Sequence, residues 1–304
     1  MDLPFHYDHI DPLAFGGALP VRRSFDQSRV VILPVPVDRT TSYVGGTRNG
    51  PHEILQASSH MELWDEELQV DVHPIGIYTL PEMELPFGEM EPLVEEIERV
   101  AYEVVGRGKF LAALGGEHSI TPPLVSAVAR KYPAVSVLQI DAHADLRESY
   151  MGTRHNHACA MRRTLEFARI TQVGIRSLSV EEAEVVAQLN TTVFYDVSMR
   201  REANWIEQVV ASLGPEVYVS IDVDGIDPAI MPATGTPEPG GLSWPEITSL
   251  LKATADRRRI VACDIVELSP IPGIVAPTFL CAKLLYKLFT YCFAHDPLSR
   301  RIGA

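Results

Sequence analysis

The sequence predicts an α/β protein built on a mostly parallel sheet, and two patterns predict it. About eight short apolar runs recur along the chain, and segments with helical periodicity separate them. The runs are continuously apolar rather than alternating, as strands are when helices bury both faces of a parallel sheet. Composition does not shift along the chain, and no repeat or low-complexity tract interrupts it. Residues 1–304 therefore read as a single domain, with residues 1–28 an N-terminal extension before the first strand.

The elements follow in order. Val30–Val35 is the first strand and Val72–Ile77 the second, with the proline-rich stretch from Pro74 to Pro92 read as a surface loop. Glu91–Gly106 sets Val94, Ile97, Val100, Ala101 and Val104 on one helical stripe. Phe110–Leu114 is a strand. Ser119–Lys131 reads as a helix with a Ser cap and prolines in its first turn, where proline is tolerated. Val135–Ile140, Ile170–Ile175, Thr191–Phe194 and Val217–Ile221 are strands. Ser243–Ala255 opens with Ser243 and Glu246 at capping-box spacing, and Ile260–Ile265 closes the set of strands.

Charge excludes one class of function. Lys and Arg number 26 against 40 Asp and Glu, a net −14, which repels phosphates; no nucleic-acid partner is expected. The most apolar late segment, Phe279 to Phe293, is broken by Lys283 and Lys287, so no membrane span is expected. The N-terminus has acidic residues and prolines where a secretory signal needs basic and then apolar ones. Cys159, Cys263, Cys281 and Cys292 form no CxxC pair and read as free thiols, so a cytoplasmic location is expected.

Ligands of parallel sheets gather at the carboxyl ends of the strands, so the residues after each run carry the functional information. GGEHS, with Glu117 and His118, follows Phe110–Leu114. DAHAD, with Asp141, His143 and Asp145, follows Val135–Ile140. DVDGIDP, with Asp222, Asp224 and Asp227, follows Val217–Ile221, and Glu267 follows Ile260–Ile265. The alternation of DAHAD would turn its three side chains to one side of a strand end. So many carboxylates on one rim repel one another unless cations lie between them. Asp141, Asp145, Asp222 and Asp224 carry −4, which two divalent ions balance and one does not. His118 and His143 complete six ligands, rich in oxygen and without thiolate, a set that favours Mn2+ over Zn2+. Asp227, before Pro228, reads as a turn former. His6, His9, His52, His60, His73 and His295 read as structural or surface histidines.

GGEHS, DAHAD and SIDVDGIDPAIMPATGTPEPGGL resemble the ureohydrolase family of arginases and agmatinases, in order and over nearly the whole chain from Val30 to Phe293. The resemblance implies a three-layer α/β/α fold around an eight-stranded sheet, two Mn2+ per subunit, hydrolysis of a guanidinium to urea, and a homotrimer or homohexamer. It assigns His118, Asp141, Asp145 and Asp224 to one metal and Asp141, His143, Asp222 and Asp224 to the other. It gives Asp145 a hydrogen bond to the attacking hydroxide, Glu267 and Thr234 to the substrate, and His157 to proton relay, with His155 as a less favoured candidate.

Departures from the arginase pattern narrow the substrate. Where arginase-like sequences carry an asparagine for the α-carboxylate, this chain has Arg147. Where they carry two aspartates, the second for the α-amino group, it has Ser177 and Ser179. The stretch DAHADLRESYMGTRHNHACAMRR resembles bacterial agmatinases, and agmatine, a small cationic guanidino compound, is the expected substrate. Alternatives are 4-guanidinobutyrate, which Arg147 would suit, a single-zinc deacetylase of the same fold, and a catalytically silent binding protein.

Overall fold

The computed structural model describes residues 13–17, 24–85 and 88–301. Its centre is an eight-stranded sheet in which every neighbouring pair is parallel. The strands are β1 (Val30–Val35), β3 (Ile77–Thr79), β4 (Phe110–Gly115), β5 (Ser136–Ile140), β6 (Arg169–Ile175), β7 (Thr191–Tyr195), β8 (Glu216–Asp222) and β9 (Arg259–Val266). Their spatial order is β3-β1-β4-β9-β8-β5-β6-β7. A separate antiparallel pair joins β2 (Val70–Asp71) to β10 (Arg300–Arg301).

Helices cover both faces, giving the expected three layers. Along β1, Val30 and Ile32 face one core, while Val31, Leu33 and Val35 face the other. The first core takes in Ile54 and Leu55 of α1 (Gly50–Ser58), Val209 of α7 (Trp205–Ser212), Leu250 and Leu251 of α8 (Trp244–Arg257), and much of α9 (Ala276–Phe293). The second takes in Leu93, Ile97 and Val100 of α2 (Met90–Gly106), Leu124 and Val125 of α3 (Thr121–Ala129), and Met161 of α4 (Ala160–Thr164). Short helices α5 (Val180–Val185) and α6 (Asp196–Met199) complete the set among the described residues.

Three local expectations need correction. Val72–Ile77 is not a strand: His73–Ile75 forms a 3-10 turn and Gly76 has φ +85°, so the edge strand starts only at Ile77. Pro74, which lacks an N–H and fixes φ, breaks the run. The stretch after it is not simply a surface loop, because Leu80 and Met83 are buried and Leu80 N donates to Ile32 O at 2.9 Å. Ser119 does not cap α3; a 3-10 turn His118–Ile120 precedes that helix, and Ser119 Oγ donates to Glu117 Oε1 at 2.7 Å. The capping box of α8 does form, with Ser243 N donating to Glu246 Oε2 at 2.8 Å.

The extension over residues 1–28 is described at 13–17 and 24–28, where Phe15 and Phe25 are buried; His6 and His9 lie outside the described residues. All four cysteines are free thiols. No described helix is long and apolar enough to cross a membrane.

Phe289, fully buried on α9, meets the edges of Phe15 at 5.8 Å and Phe110 at 6.0 Å. Phe289→Ala should cost ~3–5 kcal/mol of stability. The shift of the denaturation midpoint measures it, and a cost under ~1 kcal/mol would show that α9 does not close this core.

Candidate metal centre and active site

The four central strands β4, β9, β8 and β5 lie side by side, and each is followed by one of the charged motifs. Apart from Asp222, the last residue of β8, the charged residues of these motifs lie beyond the strands, however. β5 ends at Ile140, and beyond it His143 N donates to Asp141 Oδ1 at 2.6 Å in a tight turn. β8 ends at Asp222, whose Oδ1 accepts from Asp224 N at 2.9 Å as the cap of the 3-10 turn Val223–Gly225. The convergence expected from strand alternation is therefore achieved by turns.

Two glycines let these turns approach. A Cβ on Gly225 would lie 2.6 Å from Asp141 N, and one on Gly116 would lie 1.7 Å from Val37 O. Side chains at either position would push the motifs apart.

His118, Asp141, Asp145, Asp222, His143 and Asp224 come together. His118 Nδ1 lies 3.2 Å from Asp141 Oδ2, 3.0 Å from Asp145 Oδ2 and 3.4 Å from Asp222 Oδ2. His143 Nδ1 lies 2.9 Å from Asp224 Oδ2 and 3.6 Å from Asp141 Oδ1. Asp141 thus offers one oxygen to each histidine and belongs to both candidate metal-holding groups. The resemblance placed Asp224 in both groups and Asp222 only with His143; Asp224 does meet His143, but Asp222 lies against His118.

The electrostatics of this nest demand cations. His118 Nδ1 is wholly buried with no hydrogen-bond partner, although three carboxylate oxygens surround it. Burial works against a charge on either imidazole, yet the carboxylates hold His118 well above its usual pKa and push His143 up to about 12. Burial and the repulsion of Asp141 raise Asp145 to about 7. Burial and neighbouring carboxylates also raise Asp222 and Asp224. Without metal the nest therefore holds protons that it would exchange for divalent ions. Spacings of about 3 Å suit neighbouring ligands on one ion with metal–ligand bonds of ~2 Å. The residues fit two divalent ions sharing Asp141.

A cleft of about 220 Å3 opens over the nest, lined among others by Asp145, His157, Asp222, Asp224 and Glu267. Glu267 is buried, and its Oε1 accepts from His118 N at 2.6 Å. Burial first, then the charge of Glu117, raises its pKa well above the usual range. His157 lies with Nδ1 3.7 Å from Glu267 Oε1, and its Nε2 is buried without a partner. Burial and the repulsion of His118 and His143 lower its pKa to about 4. His155 does not line the cleft and faces Glu91 instead, at 3.8 Å.

Asp145 and Glu267 share a further feature. Both are non-glycine residues at positive φ, +53° and +64°, a conformation that costs ~1–3 kcal/mol each and persists only where surroundings impose it.

The cleft wall carries Arg147, Tyr150, Ser177, Ser179 and Thr236. Thr234, expected at the substrate, is not among the lining residues; it is buried, and Thr236, two residues on, takes the wall position. Arg147 packs over the Tyr150 ring at 4.6 Å, with Nε 3.9 Å from Glu182 Oε2. Ser179 caps α5, with Oγ accepting from Glu182 N. Asp227 shapes its turn by accepting from Ala229 N. His52, His60 and His295 are exposed and His73 is half-buried.

Sequence reasoning missed the role of Glu117. Fully buried, it accepts from Arg39 N, Thr40 N, Thr40 Oγ1 and Ser119 Oγ. Thr40 Oγ1 in turn accepts from His157 N at 3.0 Å, so Glu117 ties the loop after β1 to the His157 turn. Its place inside GGEHS was the available signal.

Comparison with known proteins agrees with this geometry. The arginase family model matches residues 28–290. An N(1)-aminopropylagmatine ureohydrolase of Synechocystis sp. is 40% identical, covering 88% of this chain and 90% of that protein. An agmatinase of Bacillus anthracis is 34% identical, covering 85% and 90%. The crystal structure of agmatine ureohydrolase of Thermoplasma volcanium superposes with a TM-score of 0.81 at 34% identity, covering 89% of this chain and 92% of that one.

Because the metal-free nest carries protons at pH 7, metal binding must release them. Calorimetric titration of the metal-free protein with Mn2+ in buffers of different ionisation enthalpy should show proton release, and apparent affinity should rise with pH. Binding without proton release would contradict this picture of the nest.

Proposed function

The chain belongs to the arginase family, and from that premise we propose that it is a binuclear manganese ureohydrolase that cleaves a linear guanidino amine of the agmatine type to urea and an amine. One observation carries the reading: a buried carboxylate, Glu267, and an unpartnered imidazole nitrogen, His157 Nε2, border one cleft with a nest suited to two divalent ions.

His118, Asp141, Asp145 and Asp222 would hold one ion, and Asp141, His143 and Asp224 the other. When bound, the ions supply a nucleophile from water at neutral pH and stabilise the charge that develops at the reacting carbon. The incoming guanidinium offsets the burial and the Glu117 charge that raise the Glu267 pKa, so the carboxylate ionises and pairs with the guanidinium N–H groups in a charge-assisted contact. That pairing orients the carbon toward the nest. Asp145 accepts a hydrogen bond from the attacking water. His157, neutral at pH 7, takes a proton at Nε2 and returns it to the departing nitrogen. The water oxygen joins the guanidinium carbon, the bond from that carbon to the alkyl-bearing nitrogen breaks, and both water protons end on that nitrogen. The products are urea and an alkylammonium ion.

The cleft wall bears on the substrate. Ser177 and Ser179 leave no carboxylate for an α-amino group, and Ser179 Oγ is engaged in capping α5, which favours a substrate without an amino-acid head. Arg147 lies against Tyr150 and Glu182, which weighs against its serving a substrate carboxylate such as that of 4-guanidinobutyrate. Agmatine is the first reading. A second has its own support: the 40% identical relative and a 37% identical one from Thermus thermophilus are both N(1)-aminopropylagmatine ureohydrolases, so an aminopropyl extension is a reading to test beside agmatine. A single-zinc deacetylase would need only one histidine-bearing group, and this site has two.

Urea release from the Mn2+-loaded protein should favour agmatine or its aminopropyl derivative over arginine and 4-guanidinobutyrate by about 100-fold or more in kcat/KM, because a site built for one polar head rejects another strongly. Preference for arginine or guanidinobutyrate overturns the substrate class, and no urea from any of the four supports a catalytically silent protein. Glu267→Gln keeps an oxygen for His118 N and loses the charge. It should lower kcat/KM by about 100- to 1,000-fold with Mn2+ content unchanged. Equal loss of metal would show that Glu267 serves the ions rather than the substrate.

A further inference from the structure

Asp264 is a wholly buried carboxylate on β9 that the proposed reaction does not use. Among the described residues it meets no cation; three hydroxyls surround it instead. Tyr218 OH and Thr121 Oγ1 donate to its Oδ2 at 2.6 and 2.8 Å, and Ser220 Oγ donates to its Oδ1 at 2.7 Å. Ser220 Oγ is also 3.0 Å from His118 Nε2. A hydroxyl has one proton, and the Asp264 contact uses it, so the His118 contact runs from Nε2–H to Ser220 Oγ. That commits Nε2 to its proton, so Nδ1, turned toward the oxygens of Asp141, Asp145 and Asp222, is the nitrogen that would give up its proton and offer a lone pair to an ion. With every member fully buried, water does not reach the chain to loosen it.

Among the described residues His143 has no such support. There its Nε2 faces only Glu238, at 4.0 Å, on a partly exposed side chain. The two histidines of the nest are thus held by different means, one by a closed relay and one at a half-open edge.

We propose that Asp264 and Ser220 are positioning residues that set metal affinity at the His118 position alone, by holding its imidazole in the Nε2–H tautomer with Nδ1 aimed into the nest. The inference rests on the two-ion reading above. Outer partners of metal-ligating histidines contribute ~10–100-fold to affinity when removed.

The test is Mn2+ titration of the metal-free protein, followed by bound-metal content and electron paramagnetic resonance, on wild type, Ser220→Ala, Asp264→Asn and Tyr218→Phe. Ser220→Ala and Asp264→Asn should weaken one of two binding events by ~10–100-fold and leave the other unchanged. At loads where wild type shows a coupled pair, they should show isolated ions. Tyr218→Phe removes a donor from the other Asp264 oxygen and spares the relay, so it should lower thermal stability yet bind both ions as wild type does. If Ser220→Ala does not fold, Asp264→Asn reads the relay by itself. Wild-type affinity at both positions in the relay variants overturns the proposal, as does an equal loss in Tyr218→Phe. A wild-type protein that takes up fewer than two ions overturns the two-ion reading and this inference with it.

Discussion

The constraint on which the rest depends is mutual repulsion among buried carboxylates. Asp141, Asp145, Asp222 and Asp224 are each under 10% exposed and bring their charges to within contact of two imidazoles. Such a nest opposes folding unless cations offset it, and protons alone are a poor substitute because they neutralise the carboxylates without bridging them. The sheet order answers the geometric side of the problem. Four adjacent parallel strands end at one rim, so short turns suffice to bring motifs from positions 117 to 267 into contact. Two rigid cores beneath them hold the rim against the repulsion.

Backbone strain sits beside the nest. Asp145 and Glu267 occupy the left-handed region, and each is tied in place by what surrounds it. Glu267 N donates to Gly116 O while its carboxylate accepts from His118 N, so the ends of β4 and β9 brace each other. Arg162 N donates to Asp145 O, and Leu146 N, next in the chain, donates to the buried Glu182. The strain is paid for by these bonds, and what it achieves is aim: two carboxylates point into one cleft from chain directions that extended backbone would not allow.

Much of this was legible in the sequence, for a definite reason. Strands such as β1 and β4 are buried on both faces, so their residues are apolar without alternation, and the charged residues that follow such runs stand out against them. What was not legible depended on geometry finer than the pattern. Pro74 ended a run that hydrophobicity alone extended to Ile77. Asp222 meets His118 rather than only the His143 group, because it ends β8 while Asp224 lies on the 3-10 turn that follows. Thr234 and Thr236 are both hydroxyls of one short motif, and only the fold distinguishes the wall position from the buried one. Nothing in sequence spacing links Ser220 or Asp264, polar residues within strands, to His118.

The most direct measurement of the central claim is anomalous diffraction at the manganese edge from crystals grown with Mn2+. Two peaks should be found inside the nest, one beside His118 and one beside His143, with Asp141 reaching both. A single peak, or full occupancy elsewhere with these side chains turned apart, would contradict the account.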